Sequence, residues 1–144
     1  MTTKNKVYMT WEQFDEACHK LVEKLKPFKF KNIYGIPRGG LVVAVKLSHL
    51  LDIPLISNIK DSSWNTLVVD DIADTGKTLR PFKTVSCHLC IATLYYHKQS
   101  VVVPDHYVHE KKDKWVVFPW EQSVVIPDFY VYGTKGNGLF SHGK

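Results

Sequence analysis

One stretch of the sequence carries residue types that bind a phosphorylated sugar. Residues 67–78 read as an apolar strand, then adjacent acids, then a short glycine-containing loop. Asp70 and Asp71 stand at the carboxyl end of the strand, where ligands of open α/β sheets bind. Adjacent carboxylates suit ribose hydroxyl groups and a hard divalent cation such as Mg²⁺. We therefore predict that this pair binds the sugar and that Asp71 is the metal ligand.

The loop after the acids has the groups that bind phosphate. Its residues are Thr75, Gly76, Lys77 and Thr78. At the start of a predicted helix they would offer backbone amides and two hydroxyl groups, and Gly76 would let the backbone approach an anion closely. A Walker A loop is excluded because it needs a glycine five residues before Gly76, where this chain has Asp71. An acidic N-cap on an ordinary strand–helix turn remains the alternative.

The surrounding pattern predicts the α/β sheet that would position these groups. Residues 10–13 have the form of a capping box, and a helix follows in which Phe14, Cys18, Leu21, Val22 and Leu25 are the apolar positions. Apolar runs predict strands at residues 32–36, 54–57, 66–69 and 90–96, and helices at residues 41–51 and after Gly76. Strands that alternate with helices indicate parallel βαβ units.

The last third of the chain has a different pattern. Short apolar runs separated by prolines predict strands and ordered loops at residues 101–103, 107–109, 115–118 and 124–126. Residues 133–144 begin with a glycine-rich segment and predict a flexible tail. We expect this part of the chain to pack beside the sheet.

Composition narrows the class of protein. The chain has 144 residues, of which 44% are apolar, 12% aromatic and 23% charged, and this predicts one globular domain over residues 1–144. A net charge of +5 favours anionic ligands, but the lysines are scattered and do not predict nucleic-acid binding.

The compartment follows from features that the sequence lacks. It has no apolar run near the roughly 18 residues that span a membrane and no secretory signal, so we predict a cytoplasmic protein. Three cysteines are too few for a disulfide scaffold. Cys87 and Cys90 have zinc or redox spacing without a second pair, and we interpret them as buried thiols.

Residues 68–78 resemble the signature that binds 5-phosphoribosyl 1-pyrophosphate (PRPP) in the type I phosphoribosyltransferases. The likeness includes both the acid pair and the phosphate loop. It implies that PRPP is bound by Asp70, Asp71, Thr75, Gly76, Lys77 and Thr78. It also implies that family's fold, a central parallel β-sheet flanked by helices with a small C-terminal β and loop region that binds the base.

A second segment resembles the pyrophosphate loop of the same family. In residues 33–42 a strand leads into Arg38, Gly39 and Gly40 at the start of a helix. The resemblance implies that Arg38 contacts the pyrophosphate and that the two glycines offer their backbone amides. It also implies a cis peptide bond between Pro37 and Arg38.

Over about residues 7–121 the order of these segments is similar to that of the bacterial xanthine-guanine phosphoribosyltransferases. This implies that Lys98 donates a hydrogen bond to the 6-oxo group of a purine, that Trp115 stacks on the ring, and that the Val116 backbone meets the base edge. It places Asp74 near the purine nitrogen that attacks C1′, where a carboxylate can take its proton.

The resemblance implies an enzyme that transfers the phosphoribosyl group of PRPP to guanine, xanthine or hypoxanthine, with Mg²⁺ as cofactor, and that forms a homodimer or homotetramer. One feature departs from the family pattern. Only nine residues, 57–65, stand where family members have a longer flexible loop that closes over PRPP. The alternative is therefore a regulatory protein that binds PRPP or a nucleotide without turnover.

Overall fold

A computed structural model describes residues 5–84 and 88–122 of the chain. Its strands are β1 (Lys6–Tyr8), β2 (Asn32–Gly35), β3 (Leu55–Ile56), β4 (Thr66–Ala73), β5 (Cys90–His97), β6 (His106–Lys111) and β7 (Trp115–Val117). Its helices are α1 (Trp11–Leu25) and α2 (Gly39–Leu51). Four single 3-10 turns connect these elements, at Lys26–Phe28, Ile59–Asp61, Arg80–Phe82 and Pro119–Glu121.

Five strands form the central sheet in the order β3-β2-β4-β5-β6, and all of their pairings are parallel. This confirms the predicted parallel α/β architecture. The chain passes from β2 to β3 on one side and then returns to β4 on the other side of β2. The carboxyl ends of β2 and β4 therefore border a topological switch point, where open α/β sheets bind ligands.

Both described helices cover one face of the sheet. The capping box of α1 is confirmed, because Thr10 Oγ1 accepts from the Gln13 amide at 3.0 Å and Gln13 Oε1 accepts from the Thr10 amide at 2.9 Å. The apolar side of α1 packs with α2, β5 and β6, and α2 packs on β2 and β4. Among the described residues, neither helix is long and apolar enough to cross a membrane.

On the other face of the sheet, the prediction of a helix after Gly76 is wrong. The described residues there form one 3-10 turn, Arg80–Phe82, whose Pro81 has no amide to donate. Lys83 then forms an antiparallel bridge with His88, so the chain turns back instead of continuing as a helix. This face is covered by Leu79, Phe82, Leu89 and Val102, which pack on β4 and β5.

The predicted strand at residues 101–103 is also wrong. Val102 is buried while Val101 and Val103 are exposed. The Val101 amide donates to Thr75 O at 2.8 Å and the Val102 amide to Ser100 Oγ at 3.3 Å, so this segment binds the neighbouring loop rather than a sheet. Residues 124–126 and the predicted tail at 133–144 lie outside the described residues.

A second, two-stranded sheet joins the two ends of the described chain. β1 pairs in parallel with β7, with Lys6 opposite Trp115 and Tyr8 opposite Val117. The Met9 amide donates to Val117 O at 2.9 Å, and Gln122 Nε2 donates to Met9 O at 2.7 Å. Strand β1 therefore holds the segment that was predicted to bind the base.

The two described cysteines are free thiols, as the sequence analysis predicted. Cys18 is buried and Cys90 is half-buried, and both are free. Burial raises the pKa of both thiols to about 12, so they stay protonated near neutral pH. Cys87 lies outside the described residues.

Candidate functional site

The arginine loop and the acid pair meet at the switch point between β2 and β4. A Cβ atom at Gly39 would lie 2.7 Å from Asp71 Cγ and still closer to its Oδ2. A Cβ atom at Gly40 would lie 3.2 Å from Asp70 Oδ1 and 2.7 Å from the carbonyl oxygen of Val69. The predicted cis peptide bond between Pro37 and Arg38 is present. Glycine at both positions is therefore what allows the two segments to lie in contact.

The N-terminus of α2 lacks the side-chain cap that is present at the N-terminus of α1. Helix α1 has a complete side-chain cap, whereas Arg38, the N-cap residue of α2, makes no capping hydrogen bond. The first amides of this 13-residue helix therefore have no side-chain acceptor from its N-cap residue, and they carry the positive end of the helix dipole. Arg38 is exposed beside them. This end of α2 can bind an anion such as a phosphate group.

Asp70 and Asp71 form a buried acidic pair at the same edge. Burial, and then the charge of Asp71, raises the pKa of Asp70 to about 8. Burial is also the main reason that the pKa of Asp71 is raised, and Glu121 adds a repulsive charge. Within residues 5–84 and 88–122 no Lys, Arg or His forms a salt bridge with either carboxylate.

Two adjacent carboxyl groups without a cationic partner among the described residues suit a hard cation, which would favour their ionised forms. Asp71 is only partly buried, so its carboxylate can reach a bound ion. The described residues contain no cluster of three or more His, Cys, Asp or Glu side chains that could bind a metal ion by themselves. A cation at Asp70 and Asp71 would therefore take its remaining ligands from the oxygen atoms of a bound substrate and from water.

The loop of residues 75–78 is fixed by contacts with the segment that follows β5. Gly76 has a φ of 82°, a backbone conformation that favours glycine. A Cβ atom there would collide with Ser100 Oγ and lie 2.8 Å from the Val102 amide nitrogen. Thr75 O accepts from the Val101 amide at 2.8 Å, which fixes the other side of the loop. Thr75, Lys77 and Thr78 stay exposed on the outer side.

Asp74 lies inside a group of polar side chains from two other segments. Lys111 Nζ donates to Asp74 Oδ2 at 3.0 Å, and Gln99 Nε2 donates to Oδ1 at 3.2 Å. His97 Nδ1 lies 3.4 Å from Oδ1 but lacks hydrogen-bond geometry, and this buried nitrogen has no other partner among the described residues. These contacts fix the orientation of the Asp74 side chain at the carboxyl edge of the sheet.

The predicted base-binding wall lies beside Asp74. A cavity of about 90 Å³ is lined by Asp71, Asp74, Trp115 and Val116, among others. The Trp115 side chain is 48% exposed, so its ring can accept a stacked heterocycle, while Val116 is buried. Behind them Phe118 and Trp120 are stacked, with ring centroids 5.0 Å apart. The residues predicted to bind the sugar and those that line this cavity therefore lie at one edge of the sheet.

Lys98 is the predicted site residue that lies apart from this cavity. Its side chain is 78% exposed and its ammonium group lies 3.6 Å from Glu110 Oε2. Sequence reasoning also missed Lys111, His97 and Gln99, the partners of Asp74. Lys111 and His97 occupy the last paired positions of β6 and β5, so their place at the carboxyl edge was the signal that could have identified them.

Comparisons with known proteins give a consistent result. No protein-family model matches the sequence. A xanthine-guanine phosphoribosyltransferase of Nitratidesulfovibrio vulgaris is 31% identical over 135 residues, covering 78% of this chain and 83% of the relative. The enzyme of the same name from Desulfotalea psychrophila is 31% identical over 136 residues, covering 78% and 84%.

Solved structures agree with these sequence relatives. A purine phosphoribosyltransferase from Pyrococcus horikoshii has a TM-score of 0.71 and 40% identity, covering 85% of this chain and 98% of the other. A xanthine-guanine-hypoxanthine phosphoribosyltransferase from Helicobacter pylori has a TM-score of 0.70 at 20% identity, covering 92% and 99%. The second likeness is one of fold alone.

The alignment with the Nitratidesulfovibrio vulgaris enzyme extends over 135 residues but takes in only 78% of the 144 residues of this chain. This chain is therefore shorter than the relative within the aligned region.

Proposed function

We propose that this chain transfers the 5-phosphoribosyl group of PRPP to a purine base. It belongs to the type I phosphoribosyltransferase family, which includes the xanthine-guanine phosphoribosyltransferases. The products would be a purine nucleotide and pyrophosphate, as in purine salvage. The observation that carries the proposal is the contact of the arginine loop with the acid pair, since it joins an anion site and a cation site at one switch point.

PRPP would lie across this edge of the sheet. Its pyrophosphate group suits the open N-terminus of α2 and the exposed Arg38, which offers a bidentate cationic donor. Its ribose hydroxyl groups suit Asp70 and Asp71, and its 5-phosphate suits the outer side of the loop at residues 75–78. These three subsites follow the order of phosphate, sugar and phosphate in the ligand.

Mg²⁺ is part of this proposal as a cofactor, with Asp71 as its protein ligand and Asp70 beside it. When bound, it would neutralise charge on the pyrophosphate leaving group. The protein's own part is to keep together two carboxyl groups that have no salt-bridge partner among the described residues, which leaves their oxygens for an ion that arrives with the substrate. Arg38 would share in neutralising the leaving group.

The transfer breaks the bond between C1′ and the pyrophosphate oxygen and forms a bond between C1′ and a nitrogen of the base. The base must lose the proton of its imidazole ring, and we assign Asp74 to accept it. Lys111 and Gln99 each donate a hydrogen bond to one oxygen of Asp74, so the side chain is oriented before the base arrives. The released pyrophosphate carries the electron pair of the broken bond.

A 6-oxopurine is the base that we propose, meaning guanine, xanthine or hypoxanthine. The names of the sequence relatives support this class. The half-exposed ring of Trp115 supports it as well, because a planar heterocycle can stack there while its edge faces Asp74 and the Val116 backbone.

The connection at residues 57–65 favours a second candidate, a regulatory protein that binds PRPP or a nucleotide without turnover. Ile59 packs on the second face of the sheet. The Ser63 amide donates to Thr66 Oγ1 at 2.8 Å, and the Lys31 amide donates to Asn65 O at 3.0 Å. This segment is therefore fixed near the amino end of β4, whereas closing the site against water requires a segment at the carboxyl end.

A turnover assay tests the proposal and separates the two candidates. The protein is incubated with PRPP, Mg²⁺ and each of the three bases, and nucleotide formation is followed by absorbance. We expect product with at least one base, and we expect Asp74→Asn to lower kcat by about 100-fold because general-base catalysis contributes on this scale. Its effect on the KM for PRPP should be smaller.

Asp113→Asn is the matched control, because it removes an exposed carboxylate from the loop before β7. It should keep the wild-type rate. Binding of PRPP without product from any of the three bases would contradict the enzyme and support the regulatory protein. A cytoplasmic location and a homodimer or homotetramer stay predictions, and size-exclusion chromatography with light scattering measures the second.

A further inference from the structure

His97 is the partner of Asp74 to which the proposed reaction gives no role. Resting on the proposed function, we propose that His97 takes from Asp74 the proton that Asp74 has removed from the base, and passes it to water. This relay returns Asp74 to the form in which it can accept a proton in the next turnover. Its basis is the contact between the two side chains, their burial and the two cavities between which they lie.

One ring nitrogen of His97 faces Asp74 without a hydrogen-bond partner among the described residues. His97 ends β5 and pairs with Lys111, the last residue of β6. Its Nδ1 atom is buried and lies 3.4 Å from Asp74 Oδ1. Buried polar atoms of native proteins are nearly always hydrogen-bonded, so an exception calls for an explanation. A contact between acid–base partners is often long in a free enzyme and shortens when the substrate binds.

Two neighbouring cavities lie on the two sides of this contact. Asp74 lines the base cavity of about 90 Å³, and His97 does not. His97 lines a second cavity of about 260 Å³, and Asp74 does not. Lys111 and Trp115 line both cavities and so form a wall between them. His97 therefore connects Asp74 with a space outside the base cavity.

The exposure of the two side chains agrees with this route. The Asp74 side chain is 30% exposed, and a base in the 90 Å³ cavity covers the side that faces it. The His97 side chain is 19% exposed, and because Nδ1 is buried, the exposed part belongs to its other atoms. The second cavity is large enough to hold water. The charged groups that line it with His97 are those of Lys111, Lys112, Asp113 and Lys114.

The chemistry of the partners of Asp74 also selects His97. The ammonium group of Lys111 has donors and no acceptor, and the amide of Gln99 donates a hydrogen bond without carrying a proton. An imidazole ring can accept a proton at one nitrogen while it releases another proton from the second nitrogen. Of the described residues that form polar contacts with Asp74, His97 is thus the one that can relay a proton.

The proton moves in steps that each break one bond to hydrogen and form another. The N–H of the imidazole ring of the base gives its proton to Asp74, and the electron pair stays on the ring that attacks C1′. The O–H of Asp74 then gives the proton to Nδ1 of a neutral His97 ring that carries its own proton on Nε2. Nε2 releases that proton to water in the second cavity, which leaves the ring neutral. Exchange between the two tautomers through water, after the products leave, restores the starting form.

Steady-state turnover of PRPP and a purine base by the wild type, His97→Ala and Lys112→Ala tests the relay. Lys112 is the matched control because it lines the same cavity and its side chain is 71% exposed. His97→Ala should lower kcat by about 10- to 100-fold, near the lower end of the scale of acid–base catalysis, and should change each KM by less than about threefold. Lys112→Ala should turn over as the wild type does. An unchanged kcat in His97→Ala would overturn the proposal.

Two further readouts separate a relay from a structural role. Imidazole added to His97→Ala can enter the space of the missing ring beside the 260 Å³ cavity and should restore most of the lost rate. A series of substituted imidazoles should restore it in the order of their basicity. Proton release should limit turnover in this variant, so its kcat should fall further in D2O than the wild-type kcat does. Rescue that does not depend on basicity, or equal isotope effects in variant and wild type, would overturn the proposal.

His97→Asn separates relaying a proton from positioning Asp74, and it carries the test if His97→Ala does not fold. Its amide can form a hydrogen bond beside Asp74 but does not carry a proton. We expect it to be as slow as His97→Ala, and a wild-type rate would overturn the relay. Urea unfolding shows whether each slow variant is folded. Wild-type protein that makes no product would refute the proposed function and the relay with it, whereas an active wild type with an equally active His97→Ala would refute the relay alone.

Discussion

Asp70 is expected to make the stability of this protein depend on pH between about 4 and 8. The folded state raises the pKa of its carboxyl group from 3.8 to about 8, chiefly through burial. A carboxyl group whose pKa is higher in the folded state binds more protons when folded, so its contribution is most favourable below pH 4. That contribution is lost as the pH rises toward 8, because the unfolded chain ionises more easily.

The size of this effect follows from the shift. At 1.4 kcal/mol per pKa unit, a shift from 3.8 to about 8 corresponds to an upper limit of about 6 kcal/mol. Asp71 beside it is partly exposed, so water at this edge screens the repulsion between the two carboxylates. We therefore expect Asp70 to cost about 2–3 kcal/mol of unfolding free energy at pH 8.

The assay compares wild type with Asp70→Asn by urea unfolding in metal-free buffer at pH 5 to 8.5. Asn keeps an oxygen that can accept from the Asp71 amide, as Asp70 Oδ1 does at 2.9 Å. The variant should gain about 2–3 kcal/mol over the wild type at pH 8 and less than about 1 kcal/mol near pH 5. Asp113→Asn, at an exposed site, should follow the wild-type curve. Parallel stability curves for Asp70→Asn and wild type across this range would refute the reasoning.

Three substitutions test other parts of the site and fold. Gly39→Ala puts a methyl group against Asp71 and should raise the KM for PRPP by about tenfold or more, and an unchanged KM would contradict the loop contact. Gly76→Ala places a side chain at a positive φ and against Ser100. It should lower the free energy of unfolding, measured in urea, by about 1–3 kcal/mol, and an unchanged value would contradict the strain at this position. Thr10→Ala removes the cap of α1 and should cost about 1 kcal/mol by the same assay, whereas Thr10→Ser should not.

Local patterns carried most of the fold prediction. The cap of α1 depends on residues three positions apart, and the run of apolar residues in β4 needs no distant partner to be recognised, so both were predictable. The prediction of a helix after Gly76 was wrong, because a glycine followed by an apolar residue can begin a tight turn as well as a helix. Pro81 and the bridge between Lys83 and His88 decided between these two outcomes.

The site was predictable where one segment carries it and unpredictable where pairing between strands creates it. Asp71 and Gly39 belong to motifs that are continuous in sequence, and they meet as the order of parallel strands requires. The contact of Lys111 with Asp74 depends on the register of β5 with β6, which no local spacing encodes. Lys98 directly follows β5 in the sequence, and its contact with the base stays a prediction.

The parallel pairing of β1 with β7 has a consequence for the order of folding. Lys6 and Trp115 are opposite each other although most of the chain lies between them, so the pairing closes a long loop. Contacts of such high sequence separation form late, and a three-residue strand at the chain end is among the first to open again. Fraying of β1 would loosen the segment that carries Trp115 while the central sheet stays intact. Base affinity would then report on local unfolding of the N-terminus, and a fusion partner attached there would change it without touching the site.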